Sequence, residues 1–342
     1  MNIEHFIAVG ENIHCTRTVK SGGKKTIELD GGGEAVAFEY KGEKKALRVP
    51  EDWGEFSPAY GSGKIKHAAL AVHTALNTDN DEDRQTAEDY LAYLADVQIT
   101  GGAKYLDINA DEYTSDAGKN AEIMGYLAAF YSRRYDVPLS IDSSNPAILR
   151  AGLEKCRQDI APPMINSVSL ERLDVVDMIT EFNADVIVSA AGREDLPNAI
   201  EGRRTNFREI IGILDAAGVD REKMHLDPLC FPISTNPENG TSFLDAVSAI
   251  GEDYPRVHFS GGLSNISFGM PNRKLLNLAF AVMYIDAGGD GGLIDTAATP
   301  LQMIAGLDTG SDSFRMAQAV LTGEDQFGMA YITAFREGTL TI

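Results

Sequence analysis

Residues 139–156 read L-S-I-D-S-S-N-P-A-I-L-R-A-G-L-E-K-C, and they hold one complete structural repeat. The run 139–143 has strand character and ends in the polar pair Asp142-Ser143. Asn145-Pro146 follows, with the proline suited to the first turn of a helix that continues over 148–156. Outward from this stretch the same pattern recurs. Strands are expected over 6–11, 105–110, 139–143, 164–167, 185–190, 224–229, 257–263 and 292–296. Helices are expected over 84–99, 148–156, 171–182, 207–217 and 275–285, several of them stopped by glycine, as at Gly101-Gly102, Gly218 and Gly288-Gly289. Strand–helix alternation builds a parallel sheet. Eight strands predict an α/β fold closed as a (β/α)8 TIM barrel, which uses about 250 residues and leaves room for insertions in a chain of 342.

Residues 16–80 break the rhythm. They read as short β segments joined by glycine turns, then a short helix in H-A-A-L-A-V-H-T-A-L at 67–76. The expectation is one barrel domain over 1–342, with 16–80 inserted in the first βα loop. Such loops lie on the catalytic face, so the insertion is expected as a lid or partner-docking flap. Gly31-Gly32-Gly33 lacks the spacing and the following helix of a phosphate loop. The tail at 313–338 adds one or two C-terminal packing helices.

The net charge of −21 argues against nucleic acid and anionic membrane surfaces as partners. No apolar run approaches the roughly 18 residues of a membrane span. The N-terminus has no basic, then apolar, leader pattern. Cys15, Cys156 and Cys230 form no C-x-x-C pair, and an odd count suits a reducing compartment, so a cytoplasmic location is expected.

Polar residues at the carboxyl ends of barrel strands face the active site. Here those ends read G-E-N, L-D-I-N-A-D, S-I-D-S-S-N, M-I-N-S, H-L-D-P-L and G-G-L-S-N-I-S. They assign Glu11, Asp107, Asn109, Asp142, Asn166, Asp227, Ser264 and Asn265 to one rim. Any one of them alone commonly caps a helix; six strands ending this way call for a ligand. The rim has carboxylates and amides but little cationic character apart from Arg273, which disfavours a polyanion at its centre. It suits a ligand edge with adjacent N–H donors, such as the aminopyrimidinone edge of a pterin. The six histidines show no metal-ligand spacing, and although Asp107, Asp142 and Asp227 are conceivable Mg²⁺ ligands, no bound metal is expected. Trp53 is the only tryptophan, too few aromatics for a sugar platform, and Cys230 reads as a structural thiol.

Taken in order, G-E-N-I, L-D-I-N, S-I-D-S-S-N, M-I-N-S, L-D-P-L and G-L-S-N-I-S followed by N-R resemble the pterin-binding methyltransferases. These are the methyltetrahydrofolate:corrinoid methyltransferases and the folate domain of cobalamin-dependent methionine synthase, with dihydropteroate synthase in the wider group. The resemblance runs from the first strand to about residue 320, interrupted by the insertion. It implies that Asp142, Asn166 and Asp227 hold the pterin ring and that Asn265 hydrogen-bonds the nitrogen carrying the methyl group. Asp107, Asn109, Ser264, Ser267, Arg273 and Glu11 would line the pocket, with Asn265 and Asp142 as the catalytic pair. The methyl group would pass between tetrahydrofolate and the cobalt of a corrinoid carried by a separate protein, in either direction, and relatives suggest a homodimer. The motifs offer no histidine as a general acid, which leaves a neutral amide, Asn265, to stabilise developing charge.

The sequence departs from the family's usual opening, G-E-R-I-N, which here is Gly10-Glu11-Asn12-Ile13-His14: an arginine is lost and a histidine gained. That departure and the insertion leave other readings open. They are a folate-dependent demethylase acting directly on a small methylated substrate, an enzyme like dihydropteroate synthase, and a non-catalytic folate-binding protein.

Overall fold

The computed structural model describes residues 3–342. The chain folds as two compact units. The first comprises the chain up to Gly10, Ile99–Tyr105 and Ala161–Ile342; the second comprises Glu11–Gln98 and Leu106–Ile160. All eight expected strands form: Ile7–His14, Tyr105–Asn109, Leu139–Asp142, Met164–Val168, Asp185–Ser189, Met224–Asp227, the broken pair His258–Phe259 and Gly261–Gly262, and Gly291–Ile294. Parallel strands alternating with helices make the (β/α)8 class that the sequence predicts.

In the first unit, Val186–Ser189 pair with Met224–Asp227, and Asp185–Ile187 with Met164–Asn166. His225 and Leu226 pair with His258 and Phe259. Ile7–Gly10 and Gly261–Gly262 flank Gly291–Ile294. Every one of these ladders is parallel, so the strands are apolar nearly throughout rather than alternating. Val9, Tyr105, Met164 and Ile187 form a buried cluster there, with Ile7 and Leu293 packed against it. The Tyr105 hydroxyl donates to Asp185 at 2.7 Å, which gives its one polar atom a partner. The tail supplies the helices Asp312–Leu321 and Met329–Arg336.

In the second unit, Leu106–Asn109 pair in parallel with Leu139–Asp142. Helix Ala117–Arg134 is capped by Asp116, whose carboxylate accepts from the Lys119 N–H at 2.8 Å. Its Tyr131 and the following Tyr135 donate to the carbonyls of Leu91 and Ala92, which ties them to helix Asp81–Thr100. Helix Pro146–Leu153 starts as the sequence predicts, with Pro146 in the first turn and the Asn145 side chain accepting from the Ala147 N–H at 2.9 Å.

The insertion is β-rich as expected, and it forms two separate pieces. Thr26–Glu28, Glu34–Tyr40 and Glu43–Arg48 make an antiparallel sheet. Its Phe38 packs edge-on to Tyr90 of helix Asp81–Thr100, and Lys45 pairs with Asp89 at 2.8 Å. Thr18–Lys20 and Lys64–Lys66 make a two-stranded antiparallel ribbon. The triglycine turns the chain between two sheet strands, with positive φ at Gly31, Gly32 and Gly33. Trp53 is fully buried beside Phe56 and His73, a core residue. Among the described residues no helix is long and apolar enough to cross a membrane.

Candidate functional site

The second unit gathers four of the expected rim residues. Asp107 is the middle residue of its strand, fully buried, and its two oxygens are both engaged. Oδ1 accepts from the Ser140 hydroxyl at 2.5 Å, and Oδ2 lies 2.6 Å from His14 Nε2. Asn109, two residues on and so on the same strand face, donates from Nδ2 to Asp142 Oδ2 at 3.0 Å. Its Oδ1 accepts from the Asp111 N–H. Asp111 in turn receives the Ser143 hydroxyl and the Ser144 N–H, which clamps the two strand-end loops together. Glu11 is held from the other side by Arg17, whose guanidinium reaches both its carbonyl and its carboxylate.

Two neighbouring carboxylates, Asp107 buried and Asp142 half-buried, raise the cost of charging both. Burial first, and the Asp107 charge second, push the Asp142 carboxyl up to about 7. For His14 burial opposes the charge, but the hydrogen bond and charge of Asp107, with Asp142 and Glu11 behind it, outweigh burial and raise the imidazole above its usual 6.5. His14 therefore belongs to the site, contrary to the expectation that the strand-end motifs place no histidine there. The signal was present: it is the residue by which the opening motif departs from the family pattern. Strand Ile7–His14 runs three residues past the expected end, which carries His14 to the rim. Ligand atoms of His14, Asp107 and Asp142 all lie within 4.8 Å of one another, so this set can also hold a divalent cation.

The first unit carries the remaining expected residues. Asp227 ends its strand, while Asn166 is the middle residue of strand Met164–Val168, and a register shift opposite Ile187 and Val188 bulges the chain just after Asn166. Asp227 Oδ1 accepts from the Leu229 N–H at 2.9 Å, while burial raises its carboxyl to about 6. Close enough to act on its charge lies a cation that no sequence motif singles out. Arg203, on helix Ile200–Ala216, is fully buried; it donates to the Ser242 carbonyl and hydroxyl and to the Leu229 carbonyl. Its charge favours ionised Asp227.

The G-G-L-S-N-I-S motif closes into the 3-10 turn Leu263–Ser267. Asn265 is exposed on that turn, and its side-chain amide forms no hydrogen bond among the described residues. A Cβ at Gly262 would come within 3.0 Å of Asn265 Nδ2, so glycine there leaves the amide its place. Arg273 donates to the Ser267 hydroxyl at 3.0 Å and to the Ser264 carbonyl at 2.7 Å. Arg273 and Ser267 therefore brace the turn that presents Asn265. Arg172 donates to the Ser167 hydroxyl at 2.7 Å beside Asn166. Cys230 is buried and its thiol is pushed up by burial, as a structural thiol should be.

A methylcorrinoid:tetrahydrofolate methyltransferase of Eubacterium limosum is 28% identical over 214 residues, covering 61% of this chain and 76% of that protein. A methionine synthase of Mycobacterium leprae (strain TN) is 30% identical over 261 residues, which is 70% of this chain and 20% of that longer protein. The 7,8-dihydropteroate synthase of Vibrio fischeri ES114 shares the fold with a TM-score of 0.52 at 15% identity, over 72% of this chain and 90% of its own. The Xanthomonas albilineans dihydropteroate synthase, solved with 7,8-dihydropteroate, gives 0.52 at 18% identity, over 66% of this chain and 86% of its own. The pterin binding enzyme family matches residues 77–295, most of the chain, and the chain belongs to that family.

Proposed function

We propose that this protein is a methyltransferase that moves a methyl group between tetrahydrofolate and the cobalt of a corrinoid protein. The observation that carries this reading is the similarity to a relative named for that reaction, extending over 76% of the relative's length. The residues supply the chemistry the reaction needs. Following the family resemblance, Asp142, Asn166 and Asp227 are each proposed as a pterin-ring contact. Ionised Asp142 and Asp227 are acceptors for N–H groups, and a carboxylate receiving such donors makes the stronger class of hydrogen bond. Their raised affinity for protons means that each is charged most readily when a ligand's donors arrive.

Asn265 is proposed to face the nitrogen that exchanges the methyl group. When the methyl passes to cobalt(I), the nitrogen–carbon bond breaks, a cobalt–carbon bond forms, and the nitrogen takes up a proton from solvent. A neutral amide stabilises the charge that develops on that nitrogen without competing for the proton. In the opposite direction the nitrogen lone pair attacks the methyl carbon, the cobalt–carbon bond breaks with its electron pair left on cobalt(I), and the nitrogen then loses its N–H proton to solvent. Alignment of the two reactants contributes most, up to about 7–11 kcal/mol for well-oriented groups.

Binding and transfer separate these roles. Asp142→Asn should weaken tetrahydrofolate binding by about tenfold or more, the scale of a lost charged hydrogen bond. Asn265→Ala should leave binding within a few-fold of the native protein and slow the transfer step. Calorimetry and single-turnover kinetics on the two variants check this. Equal loss of binding in both would remove Asn265 from the transfer role.

A further inference from the structure

The insertion carries charge out of keeping with the rest of the chain. Residues 16–66 hold ten of the 30 Lys and Arg, more than twice their share by length, in a chain of net charge −21. On the two-stranded ribbon those charges are ordered. Val19 and Ile65 turn inward and are buried, so Thr18, Lys20, Lys64 and Lys66 share the opposite face. Thr18 lies directly opposite Lys66, and Lys20 directly opposite Lys64. Like charges opposed across two strands work against the pairing. Lys20 and Lys64 are exposed, and neither has a carboxylate partner among the described residues.

The near end of the ribbon is fixed to the second unit's rim. Lys66 Nζ donates to the carbonyl of Glu112 at 3.1 Å and to its carboxylate at 2.9 Å. Glu112 follows Asp111, the residue that clamps the strand-end loops. Arg17, at the ribbon's base, holds Glu11. Lys64 lies two residues from Lys66, about 7 Å further along the strand, and brings Lys20 with it. The rim therefore offers carboxylates, and a pair of uncommitted ammonium groups stands at one short step from it.

We propose that Lys20 and Lys64 bind the γ-linked glutamates beyond the first in the folate tail, and that they make the protein selective for folates with several of them. The inference rests on the folate reading above. Folate joins an uncharged pterin to a tail of carboxylates, and each added γ-linked glutamate adds one negative charge. Glu11, Asp107, Asp111 and Asp142 suit N–H donors and repel such a tail. The opposed lysines have the complementary charge, and a tail carboxylate between them relieves their repulsion. Arg17 and Lys66 are committed to Glu11 and Glu112, so the free pair carries the selectivity.

The test compares 5-methyltetrahydrofolate with one and with three glutamates, using the full chain and a Lys20→Gln/Lys64→Gln variant. Both lysines are exposed, so the variant should fold as the native chain does. The native protein should bind the triglutamate about five- to tenfold more tightly at low salt, the scale of two exposed ion pairs. That preference should shrink above about 0.3 M salt. The variant should lose the preference and keep its monoglutamate affinity within twofold. Equal binding of the two folates by the native chain overturns the proposal while leaving the folate reading intact; so does a preference that survives in the variant. If the variant instead alters only the concentration dependence on a corrinoid protein, the ribbon docks that protein and the proposal fails. Failure of both folates to bind overturns the folate reading and this proposal together.

Discussion

At the scale of single residues, the candidate site is a problem in proton accounting. Asp142 is raised to about 7 and Asp227 to about 6, in both cases first by burial. A raised carboxyl is neutral below its pKa and charged above it, so the form that accepts two N–H donors disappears as pH falls. Tetrahydrofolate affinity should therefore be level above about pH 8 and fall as pH drops through 7 and then 6, by up to about tenfold per unit for each group. In Asp142→Asn the affinity should be weaker throughout, and only the limb near pH 6 should remain. Calorimetric titrations between pH 5 and 9 measure both curves. An affinity that rises on acidification would contradict the assignment of either carboxylate. His14 was legible as an oddity of the opening motif, but its role was not, because its partner Asp107 lies 93 residues away.

At the scale of elements, the strands were readable and some helices were not. A parallel strand is a short apolar run with a polar end, and all eight such runs became strands. Helices Ala117–Arg134 and Asn239–Asp253 carry no clear helical signal in the sequence. Gly118 and Gly125 interrupt the first, and the second opens Asn-Gly-Thr-Ser. These are poor helix formers, and packing overrides their local preference. The stretch expected as a helix over 171–182 begins instead with the 3-10 turn Leu173–Val175, and the regular helix is Val176–Glu181.

Arg203 shows what sequence spacing hides in an element. It is one arginine on an amphipathic helix, yet its guanidinium joins three separate segments through Asn198, Ser242 and Leu229. Arg203→Ala leaves those carbonyls buried without a donor and should cost about 3 kcal/mol in urea unfolding. Arg203→Lys keeps the charge but not the fork, and should recover part of that loss. A change below about 0.5 kcal/mol for alanine would mean that the guanidinium is not holding helix Ile200–Ala216 to the loop after Met224–Asp227.

At the scale of the whole molecule, fold class and family were readable because six short motifs recur in order at strand ends. The family match begins at residue 77, near the end of the insertion, so the family pattern says nothing of what residues 16–76 do. Their charge and register had to be read from the ribbon itself. The proposed pterin contacts, by contrast, rest on single residues whose type the family resemblance specifies. The central claim is that the chain exchanges a methyl group between folate and cobalt. The most direct measurement mixes the protein anaerobically with 5-methyltetrahydrofolate and free cob(I)alamin and follows the visible spectrum. Conversion of the cob(I)alamin bands to those of methylcob(III)alamin, with tetrahydrofolate formed in equal amount and the rate lost in Asn265→Ala, is the predicted result. Binding of the folate with no methyl transfer, here or with any corrinoid protein, would contradict it.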